Sequence, residues 1–448
     1  MSFWPWSGRS AFLVGQVIPV LQGLPARSVH CVVTSPPYFG LRDYGLPPFA
    51  WADGWNGCLG LEPTPEAFVE HIGEVFDEIV RVLRPDGTAW LNLGDCFAGG
   101  GRAGKNPEYM ARHTEFGKPG RGTAAYGIPI GVPDGLKRKD LVGIPWRVAF
   151  ALQARGWYLR AAIPWIRRNV IPSSTRDRPT SATETVFLLA HPESGGRYFY
   201  DVTATRLAAS QKPQRRAAPH KRTPAMKQGV PAQTWSNTEG RDELGVDSPG
   251  GMRQRRDTDW FFDSLRELIA GGEALLHAEA DDEHDEVVSA DHEVPIAVVV
   301  NPRPFAGAHF AVYPEVLVAP MILASTSERG VCAECGVPWV RQVERTSMVT
   351  RPTDRQAQKR AAGVGSLRTA LSGTMIAPPT TTTTGWASSC SCAPAEPVPA
   401  VVLDPFGGAG TTSLAAWRLD RRSIYIDASA EYRDMAVARL REAIAKSA

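Results

Sequence analysis

VVLDPFGGAGTTSLAA, residues 401–416, changes character three times in one short run. An apolar, β-branched segment ends at Asp404-Pro405-Phe406. Gly407, Gly408 and Gly410 follow, and Thr411-Thr412 then open a stretch of Ala and Leu. The order is strand, glycine turn, helix, which is the repeating unit of an α/β sheet. Glycines at such a turn let the backbone bend sharply and come close to a bound ligand. A Walker-type phosphate loop needs Lys before the Ser/Thr, and Gly410-Thr411-Thr412 has none, which argues against an NTPase. Taken alone, the turn is also compatible with a tight connection that touches no ligand.

The next strand candidate, SIYID, ends on Asp427. By itself Asp427 reads as a cap for the helix pattern AEYRDMAVARLREAIAKSA. Paired with the glycine turn one strand earlier, it reads better as a carboxylate that accepts hydrogen bonds from both hydroxyls of a ribose. Strands and helices alternate at the other end of the chain too. SVHCVV, TAWLNLG, WYLRAAIPWI and ETVFLLA suit strands, and LVGIPWRVAFALQARG suits a helix. Between them Phe68, Ile72, Val75, Phe76, Ile79, Val82 and Leu83 recur at helical spacing, with Thr64-Pro65 as cap and first turn and Arg84-Pro85-Asp86-Gly87 as the stop. This alternation predicts a mostly parallel α/β sheet covered on both faces.

One strand ends abruptly. VHCVVTSPPYFG, residues 29–40, runs into two prolines, which cannot donate to a ladder and which hold the preceding residue extended. A hydroxyl, a rigid turn and a ring are left at the strand end.

The 448 residues allow two or three domains, or one large domain with insertions. Apolar content of 43% and charged content of 21% are those of a globular protein, and a net charge of +2 makes no case by itself for a polyanionic partner. No run of about 18 apolar residues predicts a membrane span. MSFWPWSGRS lacks the basic and apolar regions of a signal peptide, so cytoplasm is the expected location. Residues 97–138 read as a long loop. Residues 205–257 carry Lys212, Arg215, Arg216, Lys221, Arg222, Arg253, Arg255 and Arg256, in either a solvated linker or a DNA-backbone contact. DWFFDSLRELIAGG is an amphipathic helix candidate and DDEHDE a solvated acidic loop. Residues 343–384, with the run PPTTTTTG, read as disordered or a variable loop. Trp146, Trp157 and Trp165 read as core.

Seven cysteines are too few for a disulfide scaffold. Cys31, Cys58 and Cys96 read as small core residues. Cys332 and Cys335, a C-x2-C turn followed by Gly, together with Cys390 and Cys392, supply four thiolates for a tetrahedral structural zinc; the competing readings are free thiols or a disulfide.

TSPPY near one end with DPFGGAGTT near the other resembles the beta-type arrangement of S-adenosylmethionine-dependent DNA amino-methyltransferases, known from viruses and restriction–modification systems. GLRDYG, LGLEPTPEAFVEHI, VLRPDGTAWLNLGD, LVGIPWRVAFALQARGW and GAHFAVYPEVLVAPMI resemble further blocks of that family. The likeness covers residues 10–205, 300–340 and 398–448. It implies a Rossmann-like methyltransferase sheet with circularly permuted motif order. Residues 10–205 would be the catalytic half and 398–448 the cofactor half, with 301–330 beside the cofactor. Residues 206–300, which the likeness leaves uncovered, read as a variable insertion available for target recognition, and the cysteine spacing makes 331–393 a small zinc-ribbon-like insertion with a disordered loop.

The resemblance also implies roles. Ser35 and the carbonyl of Pro36 would accept hydrogen bonds from the amine of a base flipped out of double-stranded DNA. Pro37 would stiffen the turn, Tyr38 would stack on the base, and Phe39 would support the pocket. Asp404, Phe406, Gly408, Gly410 and Thr411 would hold the methionine end of S-adenosylmethionine and Asp427 its ribose, with Phe310, in His309-Phe310-Ala311 before Pro314, alongside. The family usually has Gly-Asp where this chain has Gly15-Gln16, which implies weaker or re-tuned binding at the adenine amine. Ser in the first motif position resembles the cytosine-N4 enzymes, and Asp or Asn there resembles adenine-N6, glutamine or guanine methylation. Adenine-N6 transfer, transfer to an RNA base or a protein glutamine, and an inactive DNA-binding relative are the alternatives. Intact Ser35-Pro36-Pro37-Tyr38 argues against the last. A monomer or homodimer without membrane association is expected.

Overall fold

The computed structural model describes residues 8–99, 125–126, 131–167, 177–178, 181–204, 298–299, 313–346, 349–351, 374–377 and 381–447. Its centre is an eight-stranded sheet. The strands are β1 (Ser10–Val14), β2 (Val29–Thr34), β3 (Leu83–Leu93), β4 (Tyr158–Ile166), β5 (Thr183–Ala190), β6 (Val298–Val299), β9 (Val401–Asp404) and β10 (Arg422–Asp427), in the spatial order β1-β10-β9-β2-β3-β5-β4-β6. A separate pair, β7 (Val340–Arg345) with β8 (Thr381–Ala387), lies outside it. From β1 to β3 every neighbouring pair is parallel; β5 runs against both β3 and β4. The C-terminal strands β9 and β10 thus sit between the N-terminal strands β1 and β2.

Among the described residues six helices accompany the sheet: α1 (Val17–Gln22), α2 (Pro65–Val82), α3 (Ile144–Ala154), α4 (Glu315–Ser325), α5 (Thr411–Arg418) and α6 (Ala430–Ser447). The pleat sends alternate residues to opposite faces. Val32, Leu91, Phe187, Leu189 and Leu403 join one core with Phe68, Ile72, Phe76 and Ile79 of α2 and Val148 and Leu152 of α3. Cys31, Val33, Trp90, Val186, Leu188 and Val402 join the other, with Leu317 and Met321 of α4 and Ala415 and Ala416 of α5. Both faces are covered, which is why the strands read as continuous apolar runs. The predicted cap of α2 is present: Thr64 Oγ1 accepts from Ala67 N–H at 3.2 Å, and Pro65 occupies the first turn.

Several expectations change. Arg84-Pro85-Asp86-Gly87 does not form a separate stop, because the chain passes straight from α2 into β3. Strand β1 and helix α1 were not assigned from sequence. Of residues 343–384, expected to be disordered or a variable loop, the last four begin β8 (Thr381–Ala387), which pairs antiparallel with β7. Its β-branched threonines favour extended backbone, and Arg341 ties the ribbon to the body through buried Asp201 at 2.8 Å. Trp157 and Trp165 are core, but Trp146 is 45% exposed beside Phe150. Cys31 is buried, and Cys58 is not a core residue. The basic tract, the amphipathic helix candidate, the acidic run and Phe310 lie outside the described residues. Among the described residues no helix is long and apolar enough to cross a membrane.

Candidate active site

Parallel neighbours present their carboxyl ends at one edge of the sheet, and ligands bind in the crevice there. The segments following β1, β2, β9 and β10 enclose a cleft of about 1190 Å³, open mouth included. Gly15 and Gln16 follow β1, Ser35 to Tyr38 follow β2, Pro405 to Ala409 and Thr411 follow β9, and Asp427 ends β10; all line it. The two motifs, some 370 residues apart in sequence, line the same cleft, with the glycine turn forming one of its walls. Leu46, Pro47, Trp51, Leu59 and Tyr313 make the remainder largely apolar.

Asp404 lies beneath this wall and is 1% exposed. Its Oδ1 accepts from Thr34 Oγ1 at 2.9 Å and Phe406 N–H at 3.2 Å, and its Oδ2 from Thr412 Oγ1 and Tyr313 Oη, both at 2.7 Å. Burial pushes its carboxyl above the usual range, while the four donors favour the ionised form. These bonds fasten β9 to β2, α5 and the start of α4. In this structure the Asp404 carboxylate is turned inward and holds the loop that lines the cleft. Gly410 is likewise behind the wall: with φ +75° it caps α5, and a Cβ there would lie 2.6 Å from Ala436 Cβ of α6.

Asp427 does face the cleft. Its Oδ2 accepts from Gly408 N–H at 2.9 Å and its Oδ1 from Ser429 N–H at 2.8 Å. Burial raises its carboxyl to about 6. Gly408 has φ +48° and accepts at its carbonyl from Tyr425 Oη at 2.8 Å. Thr411 Oγ1 accepts from Arg439 at 2.9 Å. Gln16 lines the cleft and donates from Nε2 to Pro47 O at 3.1 Å.

On the opposite wall the Ser-Pro-Pro-Tyr turn is wedged between two glycines. A Cβ on Gly60 would lie 3.0 Å from Tyr38 O, and one on Gly94 would lie 2.7 Å from the Tyr38 ring. Ser35 Oγ donates to Tyr38 Oη at 3.1 Å, and Tyr38 Oη donates to Glu184 Oε2. Asn92 Nδ2 lies 2.8 Å from both Tyr38 Oη and Glu184 Oε2, and Arg167 pairs with Glu184 Oε1 at 3.0 Å. Burial, then the Glu184 charge, keeps the Tyr38 hydroxyl protonated well above the ordinary phenol range. Phe39 turns away into the core, 5% exposed, with its ring 5.7 Å from Phe68, and supports the turn from behind. Cys58 lines the cleft, and burial raises its thiol, which disfavours a thiolate nucleophile.

Sequence reading passed over Tyr313, Asn92 and Glu184. Glu184 had a signal, since it is the one acid at the head of the apolar run ETVFLLA, and a buried carboxylate needs a partner.

At the other end of the strands the Sγ atoms of Cys332, Cys335, Cys390 and Cys392 all lie within 4.8 Å of one another. His30 of β2 accepts Val401 N–H at Nδ1 (3.1 Å), which leaves its Nε2–H to donate to Gly336 O (3.0 Å). Arg84 donates to Cys335 O at 2.8 Å. The cysteine turn is therefore docked on β2, β3 and the start of β9.

The glycine turn and the Ser-Pro-Pro-Tyr turn, the two motifs that resemble those of DNA amino-methyltransferases, thus line one cleft at the carboxyl edge of an α/β sheet. The family described as DNA methylase (N6_N4_Mtase) matches residues 29–334 and 395–438. The type II methyltransferase M.Cfr9I of Citrobacter freundii is 35% identical over 312 residues, 70% of this chain and 71% of that protein. M.XycI of Xanthomonas campestris pv. cyanopsidis is 34% identical over 317 residues, 71% and 73% of the two chains. A solved structure, PvuII DNA methyltransferase (cytosine-N4-specific), aligns over 97% of this chain and 86% of that one, with 14% identity and a TM-score of 0.42. The chain belongs to the N6/N4 DNA methylase family: it is an S-adenosylmethionine-dependent DNA amino-methyltransferase of the restriction–modification type.

Proposed function

We propose that the chain methylates the exocyclic N4 amine of cytosine in duplex DNA. The observation that carries this reading is the single cleft in which Ser35 of the β2 turn faces the glycine turn of β9 and Asp427. An exocyclic amine is a poor nucleophile because its lone pair is delocalised into the ring. Hydrogen bonds from its protons to Ser35 Oγ and the Pro36 carbonyl would pyramidalise the nitrogen and release that pair. Tyr38 would hold the extruded base by stacking, and Pro37 would keep the turn rigid. Positioning supplies most of the rate in this account.

S-adenosylmethionine, when bound, supplies an electrophilic methyl group on a sulfonium. The donor set of the cleft fits that cofactor. Asp427, Phe406, Gly408, Thr411 and Gln16 all line the cleft; in this reading Asp427 offers carboxylate lone pairs to the ribose hydroxyls, the next three hold the methionine end and Gln16 the adenine end. Asp404 and Gly410 keep the turn in shape. A hydroxyl, where adenine-N6 enzymes of the resembled family carry Asp or Asn, is the feature that favours cytosine.

In this reading residues 10–205 and 398–448 are the catalytic and cofactor halves in permuted order. Residues 301–330 lie beside the cofactor, and 206–300 read the target sequence. The four cysteines at 332, 335, 390 and 392 bind a structural zinc. A tetrahedral zinc–thiolate site has sulfurs about 3.8 Å apart, from Zn–S bonds of about 2.3 Å, and four sulfurs all within 4.8 Å of one another support this reading.

Labelled methyl transfer to duplex DNA, followed by nucleoside mass spectrometry, tests the assignment. N4-methylcytosine is the expected product. N6-methyladenine would move the target to adenine, and no incorporation into DNA by a cofactor-binding protein would refute the reading.

A further inference from the structure

Hydroxyl protons are scarce in this cleft, and their directions can be traced. Tyr38 has one proton, and Glu184 Oε2 takes it. Glu184 is 9% exposed and meets donors at both oxygens, with Arg167 at 3.0 Å on Oε1 and Asn92 at 2.8 Å on Oε2. A carboxylate enclosed in this way is an acceptor only. Tyr38 Oη must then accept from its other neighbours, Ser35 Oγ at 3.1 Å and Asn92 Nδ2 at 2.8 Å. Ser35 also has one proton, and it is committed to Tyr38. Ser35 Oγ also receives a long contact from Asn92 Nδ2 at 3.4 Å, so an acceptor lone pair, and no proton, is what Ser35 has left for the cleft.

We propose that Glu184 is a positioning residue which, through Tyr38, sets the polarity of the Ser35 hydroxyl, so that the site accepts an amine N–H and rejects a base bearing a carbonyl in the same place. Without a terminal acceptor, Tyr38 could donate to Ser35, and the Ser35 proton would swing into the cleft. That reversed site suits a carbonyl oxygen, and a buried donor facing a donor carries a large penalty. Strand β5 therefore contributes to base selection although none of its residues lines the cleft. The inference rests on the assignment of Ser35 to the target amine.

Glu184→Gln is the test. Arg167 holds the amide oxygen on its side, which turns the amide N–H₂ toward Tyr38 and inverts the chain of donors. The expected result is a fall in kcat of about 100-fold, the scale of losing one oriented hydrogen-bonding group in an active site. S-adenosylmethionine affinity and thermal midpoint should stay near wild type. The decisive readout is binding to duplexes in which the target base is replaced by its carbonyl analogue, uracil for cytosine or hypoxanthine for adenine. Wild type prefers the amine-bearing base; Glu184→Gln should lose or invert that preference, and Glu184→Asp should restore part of it. Should Glu184→Gln fail to fold, Tyr38→Phe keeps the ring, cuts the same chain and is expected to lose the same preference. Unchanged discrimination in a folded Glu184→Gln or Tyr38→Phe variant overturns the proposal. A wild type that methylates no DNA would instead overturn the Ser35 assignment, so the two failures are distinguishable.

Discussion

Asp427 links cofactor affinity to pH in a way that can be worked from its surroundings. Burial raises its carboxyl from an ordinary 3.8 to about 6, while Gly408 and Ser429 N–H groups favour the charged form. Acceptance of two ribose hydroxyls requires the ionised carboxylate. With a value of about 6, only about one molecule in eleven is ionised at pH 5, against nearly all at pH 8. The Kd for S-adenosylmethionine should therefore rise about tenfold on going from pH 8 to pH 5, or about 1.4 kcal/mol. The unliganded protein should move the other way. Its folded state holds the Asp427 proton more tightly than the unfolded chain does, so ν is larger in the folded state between about pH 4 and 6. Stability then falls as pH rises through that window, by up to about 3 kcal/mol from this group. Isothermal titration calorimetry at half-unit steps, with thermal melts with and without cofactor, measures both. Asp427→Asn should bind weakly at every pH and lose the slope. A wild-type Kd that stays constant from pH 5 to 8, or an Asp427→Asn variant with the wild-type slope, would refute the reasoning.

Ser35→Ala should reduce kcat about 100-fold with cofactor binding intact; equal turnover in single-turnover assays would contradict the role of the hydroxyl. Gly410→Ala should destabilise the fold by about 2–5 kcal/mol, from about 1–2 for a non-glycine residue at φ +75° and about 1–3 for overpacking against Ala436. Urea unfolding within 0.5 kcal/mol (roughly the scale of a neutral surface change) of wild type would sink that account. Metal analysis should find one zinc per chain, lost when Cys332 and Cys390 are both replaced by Ser. Chelation should lower the thermal midpoint, because the cysteine turn is docked on His30 and Arg84; an equally stable metal-free protein would count against the site.

Much of the sheet was legible because its signals are local. Thr64-Pro65 starts a helix through a hydroxyl and a fixed φ, both properties of adjacent residues. The glycine turn at 407–410 and the double proline at 36–37 announce themselves in the same way. Strand β1 was missed because SAFLV is short, has a mixed burial pattern and owes its pairing to β10, more than four hundred residues away. The threonine run was misread because it is polar, and its order comes from pairing with β7 and not from burial of its own side chains.

The sequence by itself determined the α/β class, the two motifs and the four cysteines, since each depends on residue type and short spacing. Only the tertiary structure decided which motif residues face the cleft. Asp404 looks like a ligand contact in the sequence, yet four internal donors claim its oxygens, while Asp427, the same residue type, opens onto the cavity. Tertiary structure alone also brought Glu184 within hydrogen-bonding reach of Tyr38, 146 residues away. The direction of a hydroxyl proton depends on every acceptor around it, and that neighbourhood exists only once the strands are side by side.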